Sequence, residues 1–163
     1  MRTATAALIA ATLAGCDVLT HNDPPPPAPS VDEARVLLDE VIDAGIAGDF
    51  ERLCAMATGT CEGELEGFED RAPTEPPEVV DVEVHEPIRN GESWTSGGVL
   101  FVLCGTDGLG DAYESEVLVL NDGGRQLLAT AAVYWVGTRI GFATAGEDGV
   151  NVGAEPDPEP SRC

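Results

Sequence analysis

Five cysteines, two histidines and a large excess of carboxylates are the side chains with chemistry to offer in this 163-residue chain. Cys16 closes the run Leu13-Ala14-Gly15-Cys16. Small residues there let a peptidase reach the backbone, and the thiol can become a thioether. Cys54, Cys61, Cys104 and Cys163 form an even set, which in an exported chain points to disulfides. On one continuous helix Cys54 and Cys61 would stand roughly 10 Å apart, beyond the limit of about 7 Å for a bridge. The intervening Ala57-Thr58-Gly59-Thr60 should break that helix and fold the segments back, so Cys54–Cys61 is the favoured pair. Cys104 is left to bond either of those two, to stay a buried thiol, or to take Cys163, which would pin the tail.

His21 lies in a proline-rich segment, and His85 stands beside Glu83 and Glu86. A histidine acts as a general base only with a pocket and a nucleophile. No G-x-S-x-G, H-E-x-x-H or phosphate loop accompanies either one. Asp107 and Asp111 in Asp-Gly-Leu-Gly-Asp, and Glu147-Asp148-Gly149, lack the alternating acidic pattern and distant bidentate Glu of a calcium loop. They read as turn chemistry. With no C-x-x-C pair and no Cys–His cluster, neither a metal nor a cofactor is expected, and no catalytic residue is assigned. Tyr113, Tyr134, Trp94 and Trp135 read as core or sheet surface.

The net charge is −22, from 30 acidic residues and 8 arginines, with no lysine. Such a chain repels nucleic acid and anionic lipid headgroups. The bulk of this charge reads as a solvated surface. Apolar residues make up 43% of the chain, enough for a packed core, and aromatics 5%. That core is therefore expected to be mostly aliphatic.

Four regions follow from the composition. Residues 3–14 are uncharged and apolar, too short to span a bilayer core of about 30 Å as a helix, and fit the h-region of a signal peptide over 1–15. Residues 16–30 carry Pro24 to Pro27 and Pro29 and read as an extended spacer. At about 3.1 Å per residue, 17–30 would reach roughly 40 Å. Residues 31–145 form the domain, and 146–163 an acidic, proline-rich tail without structure of its own.

Within the domain, Ser30 and Glu33 make a capping box before apolar residues at Ala34, Leu37, Leu38, Val41 and Ile42. This predicts a helix over 31–47, with Gly48 as its C-cap. Asp49 caps a second short helix, and the acidic stretch 60–70 makes a loose helical turn or two. After Arg71-Ala-Pro-Thr-Glu-Pro-Pro the period shifts toward two. Val80, Val82 and Val84 alternate with Asp81, Glu83 and His85 in a half-buried strand. Residues 97–106 read as a central strand and 112–121 as its neighbour. Asn121-Asp-Gly-Gly124 is a hairpin turn into a strand over 125–137. Helices first and antiparallel strands after predict an α+β domain of about four strands.

Two resemblances add to this. Leu13-Ala14-Gly15-Cys16 after an h-region resembles the lipobox of bacterial lipoproteins. It implies cleavage before Cys16, a diacyl (palmitate-type) anchor on that thiol, and an extracytoplasmic protein whose membrane partner is reached through lipid. Asp17 resembles the inner-membrane retention signal of two-membrane enterobacteria. The stretch "ARVLLDEVIDAGIAGDFERLCAMA" (34–57), followed by the strands, resembles the nuclear-transport-factor-two-like, cystatin-like superfamily. That resemblance implies a cone in which a curved sheet wraps the first helix. It also implies a binding or assembly module of the cell envelope, without catalysis. The alternative reading is a small cone-fold enzyme, isomerase- or hydrolase-like, using His85 or a carboxylate.

Overall fold

A computed structural model describes residues 26–59, 61–90, 93–95, 97–122, 126–140 and 162–163. Cys16, His21, the lipobox, most of the spacer, the Asn121-Asp-Gly-Gly124 turn tip and Glu147-Asp148 lie outside them.

Helix α1 (Val31–Ala47) begins where the capping box puts it. The Ser30 hydroxyl and amide both donate to the Glu33 carboxylate, at 2.6 and 3.1 Å, and the Glu33 amide donates back to Ser30 Oγ. These bonds hold the Glu33 carboxyl below its usual range, because they favour its charged form. Gly48 ends the helix in the left-handed conformation, φ 66°. Asp49 caps α2 (Phe50–Ala55), accepting from the Arg52 amide at 3.2 Å. The acidic stretch resolves into α3 (Cys61–Leu65) and a 3-10 turn at Glu69–Arg71. Cys54 and Cys61 are bonded, with Cα atoms 5.3 Å apart. The chain does break between the two helices, at Met56 to Gly59, and folds back.

Strands β1 (Glu78–His85), β4 (Gly98–Thr106), β5 (Ala112–Asp122) and β6 (Gln126–Thr130) form one antiparallel sheet in the order β1-β4-β5-β6. A small ribbon, β2 (Ile88–Asn90) with β3 (Ser93–Thr95), extends the β1–β4 hairpin. The break between the two falls at Pro87 and Gly97. A Cβ on Gly97 would run into the His85 carbonyl and stand 2.7 Å from the Pro87 ring, so no other residue fits there. The domain is thus α+β with an open four-stranded sheet.

The strand expected over 125–137 ends early. Ala131 takes φ 58°, a left-handed conformation that breaks the extended run. Tyr134–Val136 then coils as a 3-10 turn, and both aromatics enter the core. The tail is also less free than expected, because Cys163 is bonded to Cys104 on β4, Cα to Cα 5.7 Å.

The core lies between α1 and one face of the sheet and gathers Leu38, Val41, Leu53, Val99, Phe101, Leu103, Val117 and Val119. Most of its members are aliphatic, as the composition leads one to expect, but the largest are aromatic. Tyr134 and Trp135 meet edge to face at 5.2 Å. Tyr134 Oη donates to the Ile42 carbonyl at 3.3 Å, and Trp135 Nε1 to the Phe68 carbonyl at 2.9 Å. A Cβ at Gly45 would stand 3.0 Å from the Trp135 ring and 3.0 Å from the Tyr134 hydroxyl, so α1 lies flush on this pair.

Candidate binding face

The two edges of the sheet are finished differently. Beside β6, Thr58 donates to the Ala129 carbonyl and Ala129 to the Met56 carbonyl, both at 2.9 Å. Beyond Tyr134–Val136 the chain returns along β5, where the Glu116 amide donates to the Thr138 carbonyl at 2.8 Å. Beside β1, no strand lies among the described residues.

β1 alternates as its sequence predicts, but its valines are not buried. Val82 and Val84 stand opposite Phe101 and Val99, on the face that α1 covers elsewhere. Phe101 and Val99 are fully buried, yet Val82 is 37% and Val84 52% exposed. The cause is the seat of α1, which packs chiefly on β5 and β6 and stops short of the edge. Its flank there is Arg35, whose guanidinium lies 5.4 Å from the Phe101 ring centre. Val31, one turn earlier, is also exposed. Val80 sits at a bulge between Val79 and Asp81, exposed as well. The Val82 amide turns away from β4 and donates to the Asp81 carboxylate, Oδ1, at 2.8 Å.

On the opposite face, Asp81, Glu83 and His85 share a surface with Leu100 and Val102 of β4 and with Glu114 and Glu116 of β5. Leu100, Val102 and Leu118 are buried there, apart from the main core. Arg162 fastens the tail's end across the carboxylates. Its guanidinium reaches Asp81 at 3.5 Å, Glu83 at 3.6 Å and Glu116 at 3.8 Å, and its amide donates to Glu114 at 2.8 Å. Glu116 also accepts from the Ile140 amide at 2.6 Å.

Asp107 and Asp111 form a turn, as predicted, with a cation that sequence reasoning did not supply. The Arg71 guanidinium pairs with both aspartates, reaching Asp111 at 3.1 Å. Asp107 Oδ1 accepts from the Leu109 and Asp111 amides at 3.0 and 2.9 Å. Burial acts to raise the Asp107 carboxyl, but the Asp111 amide, Arg71 and the Leu109 amide outweigh it and hold the pKa below the usual range. The density of carboxylates around a lone Arg in Glu69-Asp70-Arg71 was the available signal.

Histidine 85 lies 3.4 Å from Glu83, on the face away from α1. Tyr113 and Tyr134 are core residues. Burial raises both phenols above their usual pKa, with Asp107 adding to the effect at Tyr113, and Tyr113 and Asp43 at Tyr134. Among the described residues Tyr113 Oη has no hydrogen-bond partner. Trp94 falls on β3. Two shallow clefts of about 440 and 580 Å³ open elsewhere, one beside Cys54 between Phe50 and Leu65, the other between Phe68 and Ile140. Among the described residues no group of three or more His, Cys, Asp or Glu is disposed to hold a metal ion. No described helix is long and apolar enough to cross a membrane.

The sequence placed the acidic and apolar sides of β1 but missed that the valines would be exposed. Its cue was the run of Glu78, Asp81, Glu83 and Glu86, since strands at sheet edges carry charge to deter chance pairing. Comparison with protein-family models, with curated proteins and with solved structures finds no match.

Proposed function

We propose that this chain is a non-catalytic binding or assembly module of the bacterial cell envelope, held at the extracytoplasmic side of a membrane by lipid on Cys16. The observation that carries the binding role is the exposure of Val82 and Val84 on a sheet face where Val99, Phe101, Val117 and Val119 are fully buried. Apolar side chains exposed together on one strand, beside which no strand lies among the described residues, support a contact surface.

The anchor rests on Leu13-Ala14-Gly15-Cys16 after an uncharged stretch. Cys54–Cys61 and Cys104–Cys163 use four of the five cysteines, as suits an oxidising compartment, and Cys16 is not needed for either bridge. Each buried methylene contributes about 0.8 kcal/mol to membrane binding, so two acyl chains hold where one barely does. A proline-rich spacer then sets the domain off the bilayer. We read the α+β domain as a member of the cone-shaped superfamily, with the sheet as the wall of the cone.

Carbodiimide crosslinking on intact cells tests this reading. The reagent joins carboxylates to amines, and a chain without lysine has no side-chain amine to join to its own carboxylates. Mass spectrometry should find adducts between the domain's carboxylates and lysines of another protein, and a diacylated Cys16 at the amino end of the mature chain. An unmodified Cys16 would remove the anchor. Turnover of a small substrate, lost in His85→Ala, would replace the binding role with catalysis.

A further inference from the structure

Resting on that binding role, we infer that β1 accepts an extended, cationic segment of a partner protein as a fifth strand of the sheet. Its lysines or arginines would face Asp81 and Glu83, and its apolar residues would cover Val82 and Val84.

Three observations converge on β1. Among the described residues no strand lies along its outer edge, and the Val82 amide points that way, donating to its neighbour's carboxylate. In an antiparallel strand the outward amides recur at every second residue, so Val84 presents the same edge. One face of the strand offers exposed valines at alternate positions and the other carboxylates, the pattern that an alternating strand would match. The spacing of those carboxylates suits a cation, since Arg162 already stands between Asp81 and Glu83 at 3.5 and 3.6 Å.

Charge selects the occupant. A second copy of this chain would set Asp81 and Glu83 against the same acids, between two molecules of net charge −22. A strand rich in Lys or Arg meets the opposite field. Asp81 then works as a gate. Its carboxylate holds the Val82 amide against neutral or acidic strands. An incoming strand must give that amide a backbone carbonyl in place of the carboxylate, and a lysine or arginine beside Asp81 and Glu83 offsets the exchange. Glu78 and Glu86, both exposed, extend the acidic track beyond each end of the pair.

The test uses the full mature chain in detergent and three synthetic peptides: Lys-Val alternating over seven residues, its Glu-Val counterpart, and the Lys-Val peptide N-methylated at alternate amides so that it cannot pair as a strand. The Lys-Val peptide should bind, more weakly by tenfold or more on raising the salt from about 50 to 500 mM. The other two should not bind. The double variant Asp81→Arg, Glu83→Arg should invert the preference toward the Glu-Val peptide, with its circular dichroism unchanged. Equal binding of the N-methylated peptide would show charge attraction without strand pairing and overturn the inference. So would an unchanged preference in the double variant, or no binding of the Lys-Val peptide. Crosslinks on intact cells that map to the cleft between Phe68 and Ile140 would leave the binding role standing and β1 without it.

Discussion

The two faces of the sheet are held by different physics. Under α1 the contacts are aromatic and aliphatic burial, with Trp135, Tyr134 and Phe101 as the bulk. On the opposite face Asp81, Glu83, Glu114 and Glu116 converge on Arg162 beside the Cys104–Cys163 bond. Burial is non-directional and is not screened by salt or cut by a reductant, whereas ion pairs are screened and a disulfide is reduced. The inner face should therefore set whether the domain folds, and the outer face under which conditions its tail stays attached.

The strongest way to break that contrast is on the inner face. Trp135→Ala removes a fully buried ring and its bond to the Phe68 carbonyl, and should cost about 3–5 kcal/mol in urea unfolding. A loss under 1 kcal/mol would mean that the aromatic pair is not the centre of the core.

On the outer face, Cys104→Ser opens a loop of 59 residues. The chain-entropy model gives at most about 4 kcal/mol for it. Cys54→Ser opens a loop of only 7 residues, for which the same model gives about 2 kcal/mol. Both variants should keep the near-ultraviolet dichroism of the buried tryptophan. Loss of that signal in Cys104→Ser would show that the two faces are not separable.

The finest effect lies at the end of the sheet, where Asp107 meets Arg71. Its carboxyl titrates below the usual aspartate range in the folded chain, so its stabilising contribution is present above the unfolded pKa of about 3.9 and fades as pH falls through the folded value. The stability gap between the native chain and Asp107→Asn should be flat above about pH 5 and narrow below about pH 4. A gap unchanged down to about pH 3 would remove the carboxylate from the lock.

Much of this was legible residue by residue. Ser30, Glu33, Gly48 and Asp49 mark the ends of α1 and the start of α2, because caps are local and carry their own hydrogen bonds. The alternation of β1 and the turn at Asp107 were equally local. The sequence reading failed where long-range packing decided the outcome. Leu127 to Trp135 is apolar enough for one strand, but the left-handed turn at Ala131 sends Tyr134 and Trp135 under α1. The ribbon β2–β3 went unread although Asn90-Gly91, a hairpin signal, lies between its strands. The acidic run of β1 marks an edge strand, but the exposure of Val82 and Val84 was not legible, because it depends on where α1 comes to rest across the sheet.

The bond from Tyr134 to the Ile42 carbonyl spans 92 residues, and it has a consequence for the order of assembly. A chain threaded amino end first, from a ribosome or through a translocation channel, delivers its opening helix long before the slab on which that helix must rest. Until residues 134 and 135 emerge, the apolar stripe of α1 has no permanent seat, and the nascent domain stays open to chaperones.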